Sequence, residues 1–352
     1  MNAERTARDQ FRPAPIPLRP DFNHAREASL RSITRAAIHL ARHASDRNRP
    51  PLGDDHIGGL VLRSATAPLK LSDAQGLAQV AQHFVASLQP TSASAQVLAK
   101  SLSVSLDQAA QVSVPGITLP LAAWLAEAGP IPVQAGTTST GAVIDPHKLG
   151  MILTLTGEMY RSSNAEAVFR QNMIESAGPT LDSVFFSTAA GVPGQQPAGI
   201  LNGIASLTPT PSGQNAMAED LGNIATALAP VSGSGQPIIV ASPAQAMVLN
   251  VVAVNPGTVY SCASLPAKTV VGLVPEAVVS AIESPRIELA ASGTLHMAAP
   301  ANDIVTGPSP GVVAAPTREL FQTDTVALRL VWPVTWSRRS NSAVCWIQNC
   351  NW

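Results

Sequence analysis

The sequence predicts an α+β fold, and two features of the chain support that prediction. Residues 162–190 keep a broad apolar face at helical spacing. Residues 205–305 mix short Val- and Ile-rich runs, punctuated by Pro and Gly, with one helical stretch, a combination typical of α+β domains. The 352 residues are 45% hydrophobic and only 13% charged, against a typical charged share of about 25%. Such a chain can bury a large core and suits extended contact with other protein.

The N-terminal segment is basic, although the net charge of the whole chain is only -1. Residues 1–49 contain ten arginines and five acidic residues, a balance of +5, and the remainder has 12 basic and 18 acidic residues, a balance of -6. From His24 to Ala44 the apolar residues recur at helical spacing, which predicts a basic amphipathic helix. Such a segment either binds nucleic acid or pairs with acidic surfaces of sister subunits. The arginines of this helix are Arg26, Arg31, Arg35 and Arg42.

The next elements are short helices and strands that lead to an unusual hairpin. Helices are predicted up to about Leu88 and over 93–102, followed by short strands in residues 103–119. The stretch Gly129–Lys148 has strand-forming residues at both ends, with Gly, Thr and Ser between them. Two strands alone are marginally stable in water, so this predicted hairpin needs a packing partner. The alternation around Ile152 predicts the strand that follows.

The second half of the chain combines one long helix with many strands. The helix at 162–190 has Ser162 or Ser163 as its cap and Glu166 placed for a capping box, and Pro179 is expected to kink it. From Arg318 onwards long strands carry four of the five tryptophans, and Pro333 predicts an edge strand or a bulge. Strands are also expected at 237–242, 247–254, 258–265 and 269–279, and a further helix at 216–229.

The sequence contains no pattern that points to catalysis, a cofactor or a metal. HExxH, GxxxxGK[ST] and a strand-following GxGxxG do not occur. The carboxylates Glu127, Asp145, Glu158 and Glu166 form no closely spaced acid and base pair, so surface ion pairs or caps are expected. His147 is expected in a solvated turn. Three cysteines without metal-ligand spacing are expected to be reduced, namely Cys262, Cys345 and Cys350.

No signal peptide and no run of 18 apolar residues is found, so a cytoplasmic protein without a membrane partner is expected, unless it leaves the cell as part of something larger.

The order of several motifs is more informative than any one of them. AAWLAEAGPIPV, a Gly/Thr/Ser stretch, IDPHKLGMILTLTGEMY, a long helix and QQPAGILNGI follow one another. From about residue 60 to the end, this succession resembles the major capsid proteins of tailed bacteriophages, which have the Hong Kong 97-like fold. The matching residues are Trp124, Glu127, Pro130, Ile131 and Pro132 before the loop, Leu149, Leu155, Thr156 and Glu158 after it, and Pro197, Gly199, Ile200, Leu201 and Asn202 in the turn.

The resemblance implies a fold with an N-arm, an extended β-hairpin loop, a peripheral domain with a long spine helix, and an axial domain. It implies a structural protein whose copies form the hexamers and pentamers of an icosahedral head around double-stranded DNA. Assembly would take place in the host bacterial cytoplasm, and portal, scaffold, protease and decoration proteins are further expected partners. The expected divisions are the basic arm 1–50, the N-arm and start of the peripheral domain 51–120, the loop 121–160, the spine helix 161–204, the axial domain 205–305 and the last peripheral strands 306–352.

The resemblance also implies which residues contact neighbouring subunits. Residues 129–147 contain no lysine, so the isopeptide cross-links of some family members are not expected. Residues 1–50 are either a scaffolding-like segment that is removed or a retained arm that faces DNA. An encapsulin-type nanocompartment is the nearest alternative function, followed by a soluble hydrolase or a nucleic-acid-binding domain. The expected loop contacts are Trp124, Glu127, Pro130, Pro132, Gly136, Gly141 and Glu158.

Overall fold

The computed structural model of the chain confirms an α+β protein. Within the described residues, no helix is long and apolar enough to cross a membrane. The described residues are 35–36, 39, 81–82, 84–106, 111–118, 137–161, 165–233, 236–253, 257–296, 305–306, 312–313 and 318–352.

Five helices and fifteen strands have both ends within the described residues. The helices are α1 Ala93–Leu98, α2 Gly157–Arg161, α3 Ala165–Phe185, α4 Ala216–Ser232 and α5 Pro243–Val252. The first strands are β1 Leu102–Ser103, β2 Val112–Thr118, β3 Thr137–Ile144, β4 Lys148–Thr156, β5 Ile238–Ala241, β6 Thr258–Ser261, β7 Val270–Leu273 and β8 Val278–Ile282. The others are β9 Arg286–Ala290, β10 Thr294–Leu295, β11 Val305–Thr306, β12 Val312–Val313, β13 Arg318–Glu319, β14 Thr325–Arg338 and β15 Val344–Ile347.

Strand β14 lies at the centre of the largest sheet. One of its sides pairs antiparallel with β4, and its other side pairs with β9 and then with β8, which in turn pairs in parallel with β1. Of the two alternatives predicted for Pro333, the edge strand is therefore wrong, and the bulge stays a prediction. Pairing with β9 ends at Val331 and pairing with β8 begins at Val334, so the missing N–H of Pro333 falls between two ladders.

A second, four-stranded sheet has the order β15, β7, β5, β6. Strands β5 and β6 confirm the predictions for 237–242 and 258–265, and α4 confirms the helix expected at 216–229. The predicted strand at 247–254 is wrong, because those residues lie largely in α5. Short apolar runs fit a strand and a buried helix equally well, and Pro243 at the first helical position favours the helix. The run 269–279 contains β7, a 3₁₀ turn and the first part of β8.

The main core lies between α3 and the β14 sheet, and it includes the helical residues Phe84, Val85 and Leu88. Phe84 packs edge-to-face on the fully buried Trp332, with ring centroids 4.9 Å apart. Helix α3 continues through Pro179 and ends at Phe185, five residues earlier than expected. At this end the Ile200 N–H donates a hydrogen bond to the carbonyl of Phe185 at 2.7 Å, so a residue from outside the helix satisfies that carbonyl. Its predicted cap residues, Ser162 and Ser163, lie outside the described residues.

Candidate functional site

The sequence-predicted contact site centres on the β2–β3 ribbon, in which two antiparallel strands pair from Val112 opposite Ile144 to Thr118 opposite Thr137. The described part of the expected hairpin within Gly129–Lys148 is strand β3, which contains the Gly/Thr/Ser stretch from Thr137 onwards and pairs with β2. Residues 129–136 lie outside the described residues, so the pairing expected for them stays a prediction. Threonines in this stretch fit a pleated strand because they are β-branched. The register shifts between Val114 and Gly116.

The ribbon is held to the body of the subunit at its base. Ala142 and Ile144 are buried, and Ile144 forms a small apolar cluster with Leu106, Val279 and Ala281. Two of these cluster residues belong to β8, so the ribbon base packs on the β14 sheet. The described apolar packing of the ribbon is therefore concentrated where it joins the subunit.

The turn between β3 and β4 is fixed by His147, which is buried rather than solvated as expected. Its Nδ1 donates to the carbonyl of Asp145 at 2.9 Å and lies 3.2 Å from Oγ1 of Thr335 on β14. The Val334 N–H donates to the carbonyl of His147 at 3.2 Å. His147 is buried because it lies against the central strand β14, a tertiary contact that the local sequence does not reveal.

The predicted contact residues divide into described and undescribed sets. Gly141 lies in β3, and Glu158 is exposed in the first turn of α2. Arg35 is helical and exposed. The others lie outside the described residues, namely Trp124, Glu127, Pro130, Pro132, Gly136, Arg26, Arg31 and Arg42.

The N-terminal segment contacts the body of the subunit. Ala36 is helical, 0% exposed and part of the main core. Arg35 beside it is exposed, so at this point of the predicted basic helix one residue lies in the core and an arginine lies on the surface.

A buried carboxylate on α3, which the sequence analysis did not single out, ties the N-terminal part of the chain to the rest. Asp182 is 3% exposed and accepts hydrogen bonds from Ser92 Oγ at 2.6 Å, Ala93 N at 3.1 Å, Ser94 N at 2.9 Å and Ser94 Oγ. These donors surround the first residues of α1, so the negative charge also suits the helix N-terminus. An acidic residue among the apolar positions of α3 was the available sequence signal.

The turn after α3 is bound by side chains from the last strands. Arg338 Nη1 and Nη2 donate to the carbonyls of Ile200 and Asn202, both at 2.8 Å, and burial lowers the pKa of this guanidinium. Trp336 Nε1 donates to the carbonyl of Ala198 at 2.9 Å. A Cβ at Gly199 would collide with the carbonyl oxygen of Ser187, so this turn requires glycine. The stretch 197–202, which resembles a turn of the capsid family, thus joins the end of α3 to strand β14.

The three cysteines are free and buried, as expected. Burial, with the nearby Asp182 charge, raises the pKa of Cys262 to about 12, and burial raises the pKa of Cys345 and Cys350 to about 11. They are therefore protonated and unreactive near neutral pH. Among the described residues, no group of three or more His, Cys, Asp or Glu side chains is arranged to hold a metal ion.

No protein-family model matches the sequence, and no curated protein matches it. A solved phage capsid structure, from Mycobacterium phage Bobi, superposes with a TM-score of 0.50 over 72% of this chain and 89% of that chain, at 15% sequence identity. The chain has the Hong Kong 97-like fold of phage major capsid proteins. The predicted capsid fold is therefore confirmed.

Two other structures resemble this capsid fold at lower scores. The satellite phage P4 procapsid, solved with its size determination protein, has a TM-score of 0.46 at 8% identity, over 81% of this chain and 92% of that chain. A virus-like particle from Pyrococcus furiosus has a TM-score of 0.44 at 12% identity, over 76% of this chain and 96% of that chain.

Proposed function

We propose that this protein is the major capsid protein of a tailed bacteriophage or prophage, with a structural rather than a catalytic role. Its copies form the hexamers and pentamers of an icosahedral shell that encloses double-stranded DNA. They assemble in the cytoplasm of the host bacterium and remain in the virion. The observation that carries this proposal is the capsid fold, which extends over 89% of the superposed phage chain.

The β2–β3 ribbon supports contact between copies. The apolar packing described for this ribbon lies at its base, and two strands alone are marginally stable in water, so a covering surface would stabilise the ribbon. A neighbouring copy supplies that cover in a shell. We assign the loop residues to this contact, namely Trp124, Glu127, Pro130, Pro132, Gly136, Gly141 and Glu158.

Exposed apolar side chains outside the ribbon support the same proposal. Phe321 is 81% exposed on the turn before β14, and Ile152 is exposed on the outer face of β4. Single contacts of this kind are weak, but a closed symmetric shell repeats each of them many times.

We assign residues 205–305 to contacts around the axis of each hexamer or pentamer.

The buried Ala36 supports retention of the N-terminal arm over its removal, because cleavage after residue 50 would take a core residue away. The arginines of the arm then face packaged DNA and bind phosphate without reading base sequence. Their binding weakens as salt concentration rises. Portal, scaffold, protease and decoration proteins complete the expected partners.

Negative-stain electron microscopy of the overexpressed protein tests this function. We expect closed shells, and protein that stays monomeric by light scattering at every concentration would contradict a shell and favour a soluble hydrolase or a nucleic-acid-binding domain. Absorbance at the nucleic-acid wavelength in purified particles separates a DNA-filled head from an encapsulin-type compartment that holds protein cargo. Mass spectrometry of the N-terminus in particles tests whether residues 1–50 remain.

A further inference from the structure

Helix α5 has an exposed face that no part of the described chain covers. Met247 is 67% exposed, Val251 is 76% exposed and Val252 is 61% exposed. Met247 and Val251 stand one helical turn apart and Val252 follows Val251, while Ala246 and Leu249 point into the smaller core. The helix, PAQAMVLNVV, contains no charged residue. A largely apolar helix face is normally buried, whereas this one is exposed in the part of the subunit that the structure describes.

The absence of charge extends well beyond α5. Residues 221–267 contain no Asp, Glu, Lys, Arg or His, whereas 13% of the whole chain is Asp, Glu, Lys or Arg. This uncharged segment comprises most of α4 together with β5, α5 and β6. Its surface therefore offers no charge for recognising nucleic acid or a charged protein. It fits a surface that is equally uncharged, because burying it against charged groups would strip them of water.

The position of α5 suits contact at the flank of the subunit. Helices α4 and α5 share one apolar cluster and therefore cover the same face of the four-stranded sheet. Helix α4 packs on β7 and β15, and α5 packs on β5 and β6. Strand β6 is at the end of the strand order, so α5 lies beside a sheet edge.

The size of the exposed face indicates which kind of contact it makes. Three side chains offer an apolar patch on the order of a few hundred Å², the range in which exposed patches mark interaction sites. A stable isolated dimer needs about 800 Å² per partner. The patch is therefore too small to hold two copies together alone, but it is sufficient for a contact that symmetry repeats.

We propose that the α5 face, Met247 with Val251 and Val252, docks on the uncharged segment 221–267 of a second copy of this chain. This inference rests on the proposed shell function and specifies one of its contacts. The neighbouring copy is the partner that the surface favours because it carries an uncharged segment of the same composition. The contact excludes water from three exposed apolar side chains without desolvating a charge.

Photo-crosslinking identifies the occupant in intact shells. With p-benzoylphenylalanine in place of Val251, irradiation is expected to give a product of twice the 36.4-kDa subunit mass. Because 171–267 contains no Lys or Arg, the cross-link is mapped on chymotryptic peptides, where it should fall within residues 221–267. A product that contains a different protein, or a cross-link to another part of the neighbour, would overturn the proposal.

Charge substitution measures the contribution of the face. Val251→Arg is expected to lower the assembled fraction at least roughly tenfold, because a charge would be buried in a contact that symmetry repeats, while circular dichroism shows a folded subunit. Val251→Ile, which keeps the face apolar, is the matched control and should assemble like the wild type. Wild-type shells together with unchanged assembly of Val251→Arg would refute the α5 contact alone. A wild type that forms no shells would instead refute the proposed function.

Discussion

The β2–β3 ribbon and the sheet around β14 are both antiparallel, yet they are stabilised in different ways. Among the described residues, each ribbon strand pairs with one neighbour, and the apolar packing lies at the base of the ribbon. Strand β14 pairs on both sides, and two of its tryptophans also donate hydrogen bonds, Trp332 Nε1 to the carbonyl of Glu283 and Trp336 Nε1 to that of Ala198. The contrast indicates that β14 is held by pairing on both sides and by its tryptophans, whereas the contacts of the ribbon beyond its base are the subject of the proposed assembly.

Removing the Asp182 carboxylate should lower the stability of the subunit more than any other change considered for its core. Asp182→Ala is expected to lower the free energy of unfolding by about 3–5 kcal/mol, because buried donors around α1 lose their acceptor. Urea denaturation of the unassembled subunit measures this change. Asp145→Ala at the ribbon base is the matched control and should cost at most about 1 kcal/mol, since Asp145 accepts from the exposed Gln111 side chain. Equal losses at both sites would remove the distinction between the two regions.

A glycine substitution tests the junction that holds the last strands to α3. Gly199→Ala should destabilise the subunit by about 1–3 kcal/mol, because its Cβ would collide with the backbone of Ser187. Gly150→Ala on β4 is the control, since no atom lies within 4 Å of a Cβ there. Its free energy of unfolding should stay within about 0.5 kcal/mol of the wild type. Thermal unfolding of both variants ranks them, and a more stable Gly199→Ala would contradict the described turn.

Shortening the ribbon should affect assembly and leave the subunit folded. Gly116 lies opposite Ser139, so replacing 117–138 with Asn-Gly closes the two strands with a favoured two-residue turn. The base residues Ala142 and Ile144 are kept. We expect the free energy of unfolding to change by less than about 1 kcal/mol, and electron microscopy to find no shells. An unfolded variant would mean that the removed segment belongs to the core of its own subunit.

The last prediction concerns covalent cross-links between subunits, which we expect to be absent. Since 129–147 contains no lysine, boiling particles in detergent should release the 36.4-kDa subunit alone. A denaturing gel measures this directly. A ladder at multiples of the subunit mass would show that the ribbon is joined covalently to its neighbours, which would make it the more firmly held of the two regions.

Local patterns in the sequence predicted much of the fold correctly. The return strand, now β4, and helices α3 and α4 were recognised because periodicity and turn residues lie within the segment itself. Burial of the cysteines was also expected from their apolar character. The ordered motifs additionally predicted the capsid fold, although no single motif was decisive.

The amino-acid sequence by itself determined the α+β class, the long helix and the low charge that suits contact between copies. Only the tertiary structure decided that β3 pairs with β2, that β14 is central despite Pro333, and that 247–254 is largely helical. It also brought Asp182 to a helix start about ninety residues away, at Ser92. These features depend on contacts between distant segments, and such contacts leave no periodic signal in either segment. The same physics applies to the α5 face, for which we propose a partner outside the subunit.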